Sequence, residues 1–240
     1  MDLLKAGSLA KKKGGGATNV EDVFSPYLYT GNSSTQTIAN GIDLSGKGGL
    51  VWLKWRSGSN AFGHALYDSE RGVTKELKSQ TSGAESTENR ISSFNSSGFT
   101  LTSNTETNLS ANKYVSWTFR KAPKFFDIVT WTGDGTVRNI PHNLGSAVGM
   151  ILVKPTINSA WIVYHKNGAA TTYSGAETYG VLSETNSWTD SAAPWNNTEP
   201  TDAVFTTTGS STNVSGRPYV AYLFADNSAE DAEEQMIKCG

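Results

Sequence analysis

Hydrophobic and polar residues alternate along this chain in short runs separated by turn residues, with the two-residue period of β-strands. The alternation is strict over residues 114–119, where Val115, Trp117 and Phe119 fall on one face and Tyr114, Ser116 and Thr118 on the other. Residues 23–30, 37–44 and 64–68 also read as strands. Residues 50–55 (LVWLKW) are too apolar for a half-exposed strand and belong at the centre of a sheet. Phe94 and Phe99 flank a hairpin turn, whereas the polar residues 79–89 read as a loop.

About one hundred residues later the pattern returns. Residues 29–32 (YTGN) match 131–134 (WTGD), and 49–54 (GLVWLK) match 149–154 (GMILVK). WIVY at 161–164 stands where HALY stands at 64–67, Phe205 lies near the place of Phe99, and YVAYLF at 219–224 repeats YVSWTF at 114–119. Agreement in order and spacing makes each copy one folding unit. The expected architecture is all-β: two tandem antiparallel β-sandwich repeats of jelly-roll or lectin-like character, with an extended N-terminal arm. The divisions are residues 1–22 (arm), 23–123 (first repeat), 124–227 (second repeat) and 228–240. The last segment is an acidic linker with a helix-start pattern at residues 228–231. Its apolar ending, Met236 and Ile237, reads as the opening strand of a further repeat. Trp52, Trp117 and Trp131 lie in strands shared by both copies and are expected in the core.

Composition narrows the function classes. A net charge of −2 argues against a general nucleic-acid-binding surface. A single cysteine, Cys239, leaves no intramolecular disulfide and no cysteine-based metal site. The N-terminus has no signal-peptide h-region, and no run approaches transmembrane length. The expectation is therefore cytoplasmic synthesis without membrane insertion. Leu3, Leu4 and Leu9 form a weak apolar face ahead of the basic, flexible run Lys11, Lys12 and Lys13, which suits an arm that orders on a partner.

Catalytic chemistry is not apparent. His64, His142 and His165 form no HxH or HExxH pattern, and the glycines at 46–49 precede a strand, whereas a phosphate cradle leads into a helix. No catalytic residue, metal site or cofactor is assigned. Asp68, Glu70 and Arg71 form the densest charge cluster of the first repeat, either a salt bridge pinning a turn or a ligand contact. Trp188 and Trp195 sit in a Ser/Thr/Asn/Pro-rich stretch that looks peculiar to the second repeat, and could stack on sugars or pack under the loop. Asn-x-Ser/Thr sequons at Asn32, Asn95, Asn108, Asn196 and Asn213 are expected by chance in such a composition.

The run YTGNSSTQTI, GIDLSGKGGLVWLK, LYDSERGV, SFNSSGFTL and YVSWTFRKAPKFFDIVTWTGDGTVRNIPHNLGS resembles a repeat family of tail-fibre-like and other virion structural proteins of marine tailed bacteriophages, including cyanophages. The resemblance covers most of residues 23–227; Val148 departs from it, where the family usually has proline after the LGS turn. It implies a lectin-like β-sandwich in a virion appendage and carries over no catalytic residue. On that basis the chain is expected to be a non-enzymatic tail fibre or receptor-facing appendage. The arm would dock on tail, adaptor or baseplate proteins, the repeats would meet a host surface glycan or protein, and the assembly would be a homo-oligomer, trimer favoured. A head decoration or neck protein is the alternative, and a polysaccharide-degrading enzyme the third reading.

Overall fold

The computed structural model describes residues 18–59, 61–168, 174–228 and 235–239. A four-residue helix α1 (Val20–Val23) leads into the first repeat, whose strands are β1 (Phe24–Thr30), β2 (Gln36–Ala39), β3 (Gly49–Ser57), β4 (His64–Asp68), β5 (Lys75–Glu76), β6 (Ser86–Thr87), β7 (Ile91–Asn95), β8 (Gly98–Leu101) and β9 (Lys113–Arg120). The second repeat contains β10 (Phe126–Thr132), β11 (Arg138–Pro141), β12 (Val148–Pro155), β13 (Ile162–His165), β14 (Thr178–Val181), β15 (Thr189–Asp190), β16 (Val204–Thr207) and β17 (Pro218–Ala225).

Both repeats use one plan. The main sheet of the first runs β1-β9-β3-β4, and that of the second begins with the matching order β10-β17-β12-β13 and continues into β14 and β15. A smaller sheet faces each one, β2-β8-β7 in the first repeat and β11-β16 in the second. All pairings between these strands are antiparallel, and the registers correspond residue by residue. Val51 lies opposite Tyr67 and Thr118, as Ile151 lies opposite Tyr164 and Leu223. The central place expected for residues 50–55 is where β3 sits, between β9 and β4. The same aromatic pair closes one end of each sandwich: Tyr29 stacks on Tyr114 at 5.1 Å, and Trp131 on Tyr219 at 5.0 Å.

Two shared residues hold the opening turn. A Cβ on Gly31 would lie 2.2 Å from the Leu109 carbonyl oxygen, and one on Gly133 at 2.2 Å from that of Val214, so only glycine fits. Asn108 and Asn213, both wholly buried, then knit the turn. Asn108 Nδ2 donates to the Ser34 carbonyl at 2.6 Å, and Asn213 Nδ2 to the Thr136 carbonyl at 3.0 Å. These sequon asparagines are therefore structural elements, which composition alone did not distinguish from chance.

The alternation expected over residues 114–119 holds, with one face wholly buried and the other, Val115, Trp117 and Phe119, buried in part. Tyr114, Ser116 and Thr118 look into the sandwich of the first repeat, whose core includes Tyr29, Ile38, Val51, Leu53, Tyr67, Phe99 and Leu101. An equivalent core around Ile140, Ile151, Tyr164, Phe205 and Leu223 fills the second sandwich. The opposite faces of the two main sheets meet each other in a third cluster. There Leu50 and Leu66 join Ile128, Leu152, Trp161, Val163, Tyr222 and Phe224, and Phe119 sits edge-on to Phe224 at 5.4 Å. The molecule is thus a stack of sheets with a shared central core. Residues 122–126 are a closed turn: Ala122 and Phe125 are buried in the shared core, and the Ala122 amide donates to the Phe126 carbonyl at 3.0 Å. Trp131 is in a sandwich core as expected; Trp52 is half-buried and packs against the shared core, and Trp117 is half-buried beside it on the same face of the first main sheet.

Residues 79–89 are not a free loop. They form most of a hairpin in which Lys75 pairs with Thr87 and Glu76 with Ser86. Thr178 pairs with Asp190 and Tyr179 with Thr189 in the second repeat, giving a hairpin of the same length in the same place. The stretch holding Trp188 is therefore not peculiar to the second repeat: Trp188 precedes β15 as Glu85 precedes β6.

Candidate functional site

The hairpin of the first repeat closes over the second repeat and carries the charge cluster with it. Asp68 ends β4, and its Oδ1 accepts the amides of Glu70 at 3.0 Å and Arg71 at 2.8 Å, an Asx turn that the sequence D-S-E-R-G favours. That turn aims the Arg71 guanidinium into the inter-repeat contact. Nε donates to Asp68 Oδ2 at 2.6 Å, Nη1 to Glu85 Oε2 at 3.0 Å, and Nη2 to the Leu66 carbonyl at 3.2 Å and to the Tyr222 hydroxyl at 3.0 Å. The Tyr222 hydroxyl donates onward to Asp68 Oδ2 at 2.7 Å. Burial works against the charge of Arg71, but Tyr222, Asp68 and Glu85 outweigh it and raise its pKa. Burial also raises the Tyr222 pKa, and Arg71 offsets only part of that rise. The network is a charged arginine and a neutral phenol locked between two carboxylates.

Backbone bonds extend the contact along the hairpin. The Glu85 amide donates to the Thr156 carbonyl at 2.9 Å, and the Ser159 amide to the Ser82 carbonyl at 2.8 Å. The Ala84 amide donates to Asn158 Oδ1 at 2.8 Å, and the Trp161 indole to the Lys78 carbonyl at 3.1 Å. At the far side Lys121 reaches Glu70 at 2.6 Å and Asp127 at 3.4 Å, tying the end of β9 to β10. A cleft of about 480 Å³ remains beside this contact. Glu70, Arg71 and Glu85 wall it from the first repeat; Thr130, Thr132, Thr156 and Tyr219 wall it from the second.

Among the residues singled out from the sequence, Asp68, Glu70 and Arg71 come together, and the salt-bridge reading of them is the one the geometry shows. Asp68 and Arg71 are corrected as surface contacts: Asp68 is wholly buried and the Arg71 side chain is 4% exposed, because both face the second repeat. Glu70 remains exposed. Trp195 is also corrected. It is 1% exposed and packs edge-on to Tyr164 at 5.9 Å inside the second sandwich, where no ligand reaches it. Trp188 is half-buried, edge-on to His165 at 6.5 Å. Leu3, Leu4, Leu9, Lys11, Lys12 and Lys13 lie outside the described residues. Sequence reasoning missed Glu85, Tyr222 and the hairpins; the equal spacing of residues 75–87 and 178–190 was the available signal, masked by side chains with nothing in common.

Shared lysines serve the fold. Lys54 Nζ donates to the Phe62 carbonyl at 3.1 Å, and Lys154 Nζ to the carbonyls of Pro155 at 2.7 Å and Ile157 at 2.8 Å. Lys154 is wholly buried, and burial, with Arg71 nearby, pulls its pKa down to about 8. The shared tyrosines each meet a glutamate: Tyr67 bonds Glu76, and Tyr164 donates to Glu199 at 2.5 Å. All three histidines have pKa values lowered, first by burial. Trp52 donates to His64 Nδ1 at 2.8 Å. His142 Nδ1 accepts the Leu144 amide at 3.3 Å, and His165 Nδ1 the Asn167 amide at 3.1 Å. Among the described residues no group of three His, Cys, Asp or Glu side chains is placed to hold a metal ion, and no helix is long and apolar enough to cross a membrane.

Four of the five N–H donors of Arg71 are engaged within the cluster, and among the described residues no nucleophile is paired with a base around the cleft. Its chemistry is that of a bolt between repeats. Comparison with known proteins finds no match among curated proteins or solved structures. A family profile matches residues 19–229, one span running through both repeats and the core they share: the chain belongs to the family described as Domain of unknown function (DUF7483).

Proposed function

We propose that this protein is a structural component of a tailed-bacteriophage virion, a tail fibre or similar receptor-facing appendage that acts by contact and not by catalysis. The observation that carries the reading is the division of labour between the repeats. What they share (the glycine and asparagine of the opening turn, the stacked aromatic pair, the central-strand lysine bonded to backbone carbonyls) builds the sandwich. Their differences fall on the hairpins and outer faces, which are contact surfaces. The charged groups around the cleft are spent on joining the repeats, which favours a spacer or adhesion module over an enzyme. The resemblance to virion proteins points the same way, and many copies per particle would turn weak single contacts into firm attachment.

The test is quantitative mass spectrometry of purified particles together with antibody labelling. A few copies per virion, with label at the tail, support an appendage. Hundreds of copies over the shell would make it a head decoration protein, and absence from particles refutes the reading.

A further inference from the structure

Each repeat has the same two surfaces, a hairpin and a main-sheet face; the central row of that face is covered in the second repeat, whereas the face of the first joins the shared core chiefly at Leu50, Leu66 and Phe119. The first repeat applies its hairpin, residues 75–87, to the second, while on its own main-sheet face the row running from Trp52, at the edge of the shared core, through Trp117 to Pro26 is left partly or wholly exposed. The second repeat has the corresponding row covered, with Ile128 3%, Tyr222 0% and Leu152 3% exposed, and its own hairpin, residues 178–190, bonds back to the second repeat at the Trp161 carbonyl, with Trp188 half-buried at the edge of the shared core. One chain thus contains a used and a largely unused copy of each half of a single interface.

The unused halves match each other in chemistry. Inside the chain this part of the contact is polar on both sides: the Tyr222 hydroxyl accepts from Arg71 and donates to Asp68, Glu85 also accepts from Arg71, and Thr130 lines the same cleft. At the free hairpin the registers place His165 where Asp68 stands and Trp188 where Glu85 stands. At the free face they place Trp117 for Tyr222 and Leu28, 61% exposed, for Thr130. Glu85, Tyr222 and Thr130 are thus replaced by Trp188, Trp117 and Leu28, and the carboxylate of Asp68 by the imidazole ring of His165; Arg71 has no counterpart in these registers. Leu182, 37% exposed, adds apolar area to the free hairpin. A Leu28 facing Trp188 and a Trp117 facing His165 would bury rings against one another as the polar set buries its ion pairs.

We propose that the hairpin of residues 178–190 in one copy of this chain docks on the outer face of the first repeat in a second copy, around Leu28 and Trp117, repeating between chains the contact that joins the repeats within one. The interface is heterologous, so copies add head to tail into a ring or a filament.

Sedimentation of the full chain across a concentration series tests this, with Leu28→Glu to spoil the face and Trp188→Ala to spoil the hairpin, and with circular dichroism and melting to confirm that each variant is folded. The wild type is expected to assemble into multiples of the 25.7 kDa chain as concentration rises. Each variant alone should associate about tenfold more weakly or worse, as loss of a buried anchor does. An equal mixture of the two retains one intact interface per pair and should give heterodimers and nothing larger. A chain that stays monomeric throughout overturns the proposal, as does assembly that neither substitution weakens. If residues 1–17 of the same chain cover the face, a Leu28→Cys variant would be monomeric and closed to maleimide until they are removed, and that result also overturns it.

Discussion

Replacing Arg71 by methionine keeps the hydrophobic stem and deletes the group at the centre of the inter-repeat bolt. Asp68 has no exposure to water, so its carboxylate would lose an Nε donor at 2.6 Å with no solvent to replace it. It would keep two amides and the Tyr222 hydroxyl. Glu85 is better placed, since its side chain is 17% exposed and lies 3.6 Å from Lys75. Breaking a buried ion pair from one side costs about 3–5 kcal/mol, and the donors left to Asp68 put this case near the lower end, about 3 kcal/mol. For a chain of this size that corresponds to a fall in melting temperature of about 6–12 °C. The assay is urea denaturation of Arg71→Met, Asp68→Asn and the double variant. Removing both charges leaves nothing stranded, so the double variant should be more stable than the sum of the singles by at least about 1 kcal/mol. A single-variant cost below about 1 kcal/mol, or strict additivity, would refute the account of the bolt.

Two further predictions concern the fold. Ala111 holds a left-handed φ of 65° where the second repeat has Gly216 at 75°, so Ala111→Gly should stabilise the protein by about 0.5–1 kcal/mol in thermal or urea unfolding, despite the added flexibility of the unfolded chain. Lys154 has a folded pKa of about 8 against 10.5 for the free side chain. The unfolded chain therefore holds more protons between those values, and stability should rise with pH across that window, by at most about 3 kcal/mol, and be insensitive to this group below it. The wild-type minus Lys154→Met difference in unfolding free energy, measured from pH 7 to 10.5, isolates the effect; a flat difference contradicts it.

How much of this was legible beforehand depended on what each pattern reports. The repeat was readable because strands β3, β9, β12 and β17 are buried on at least one face, so their residues recur in type as well as position. Period-two alternation shows which residues share a face of a sheet, but not whether that face meets water or another sheet. Trp117 and Phe119 were therefore placed on one face without any indication that part of it presses against the second repeat. The hairpins were lost for a different reason: backbone pairing and length are conserved between residues 75–87 and 178–190, while glutamate in one stands where tryptophan stands in the other. Trp195 was left between sugar stacking and packing because its flanking residues (AAPWNN) do not say what it meets in space, which is Tyr164 and the second sandwich core.

The central claim is that the two repeats form one body through a shared core and a buried arginine network. Differential scanning calorimetry of the full chain, at a concentration low enough to keep it monomeric, tests it most directly. The account predicts a single transition whose calorimetric and van't Hoff enthalpies agree, because neither repeat can unfold without exposing Leu66, Trp161 and Tyr222 of the common core. Two separable transitions, or a calorimetric enthalpy about twice the van't Hoff value, would show that the repeats unfold independently and would contradict it.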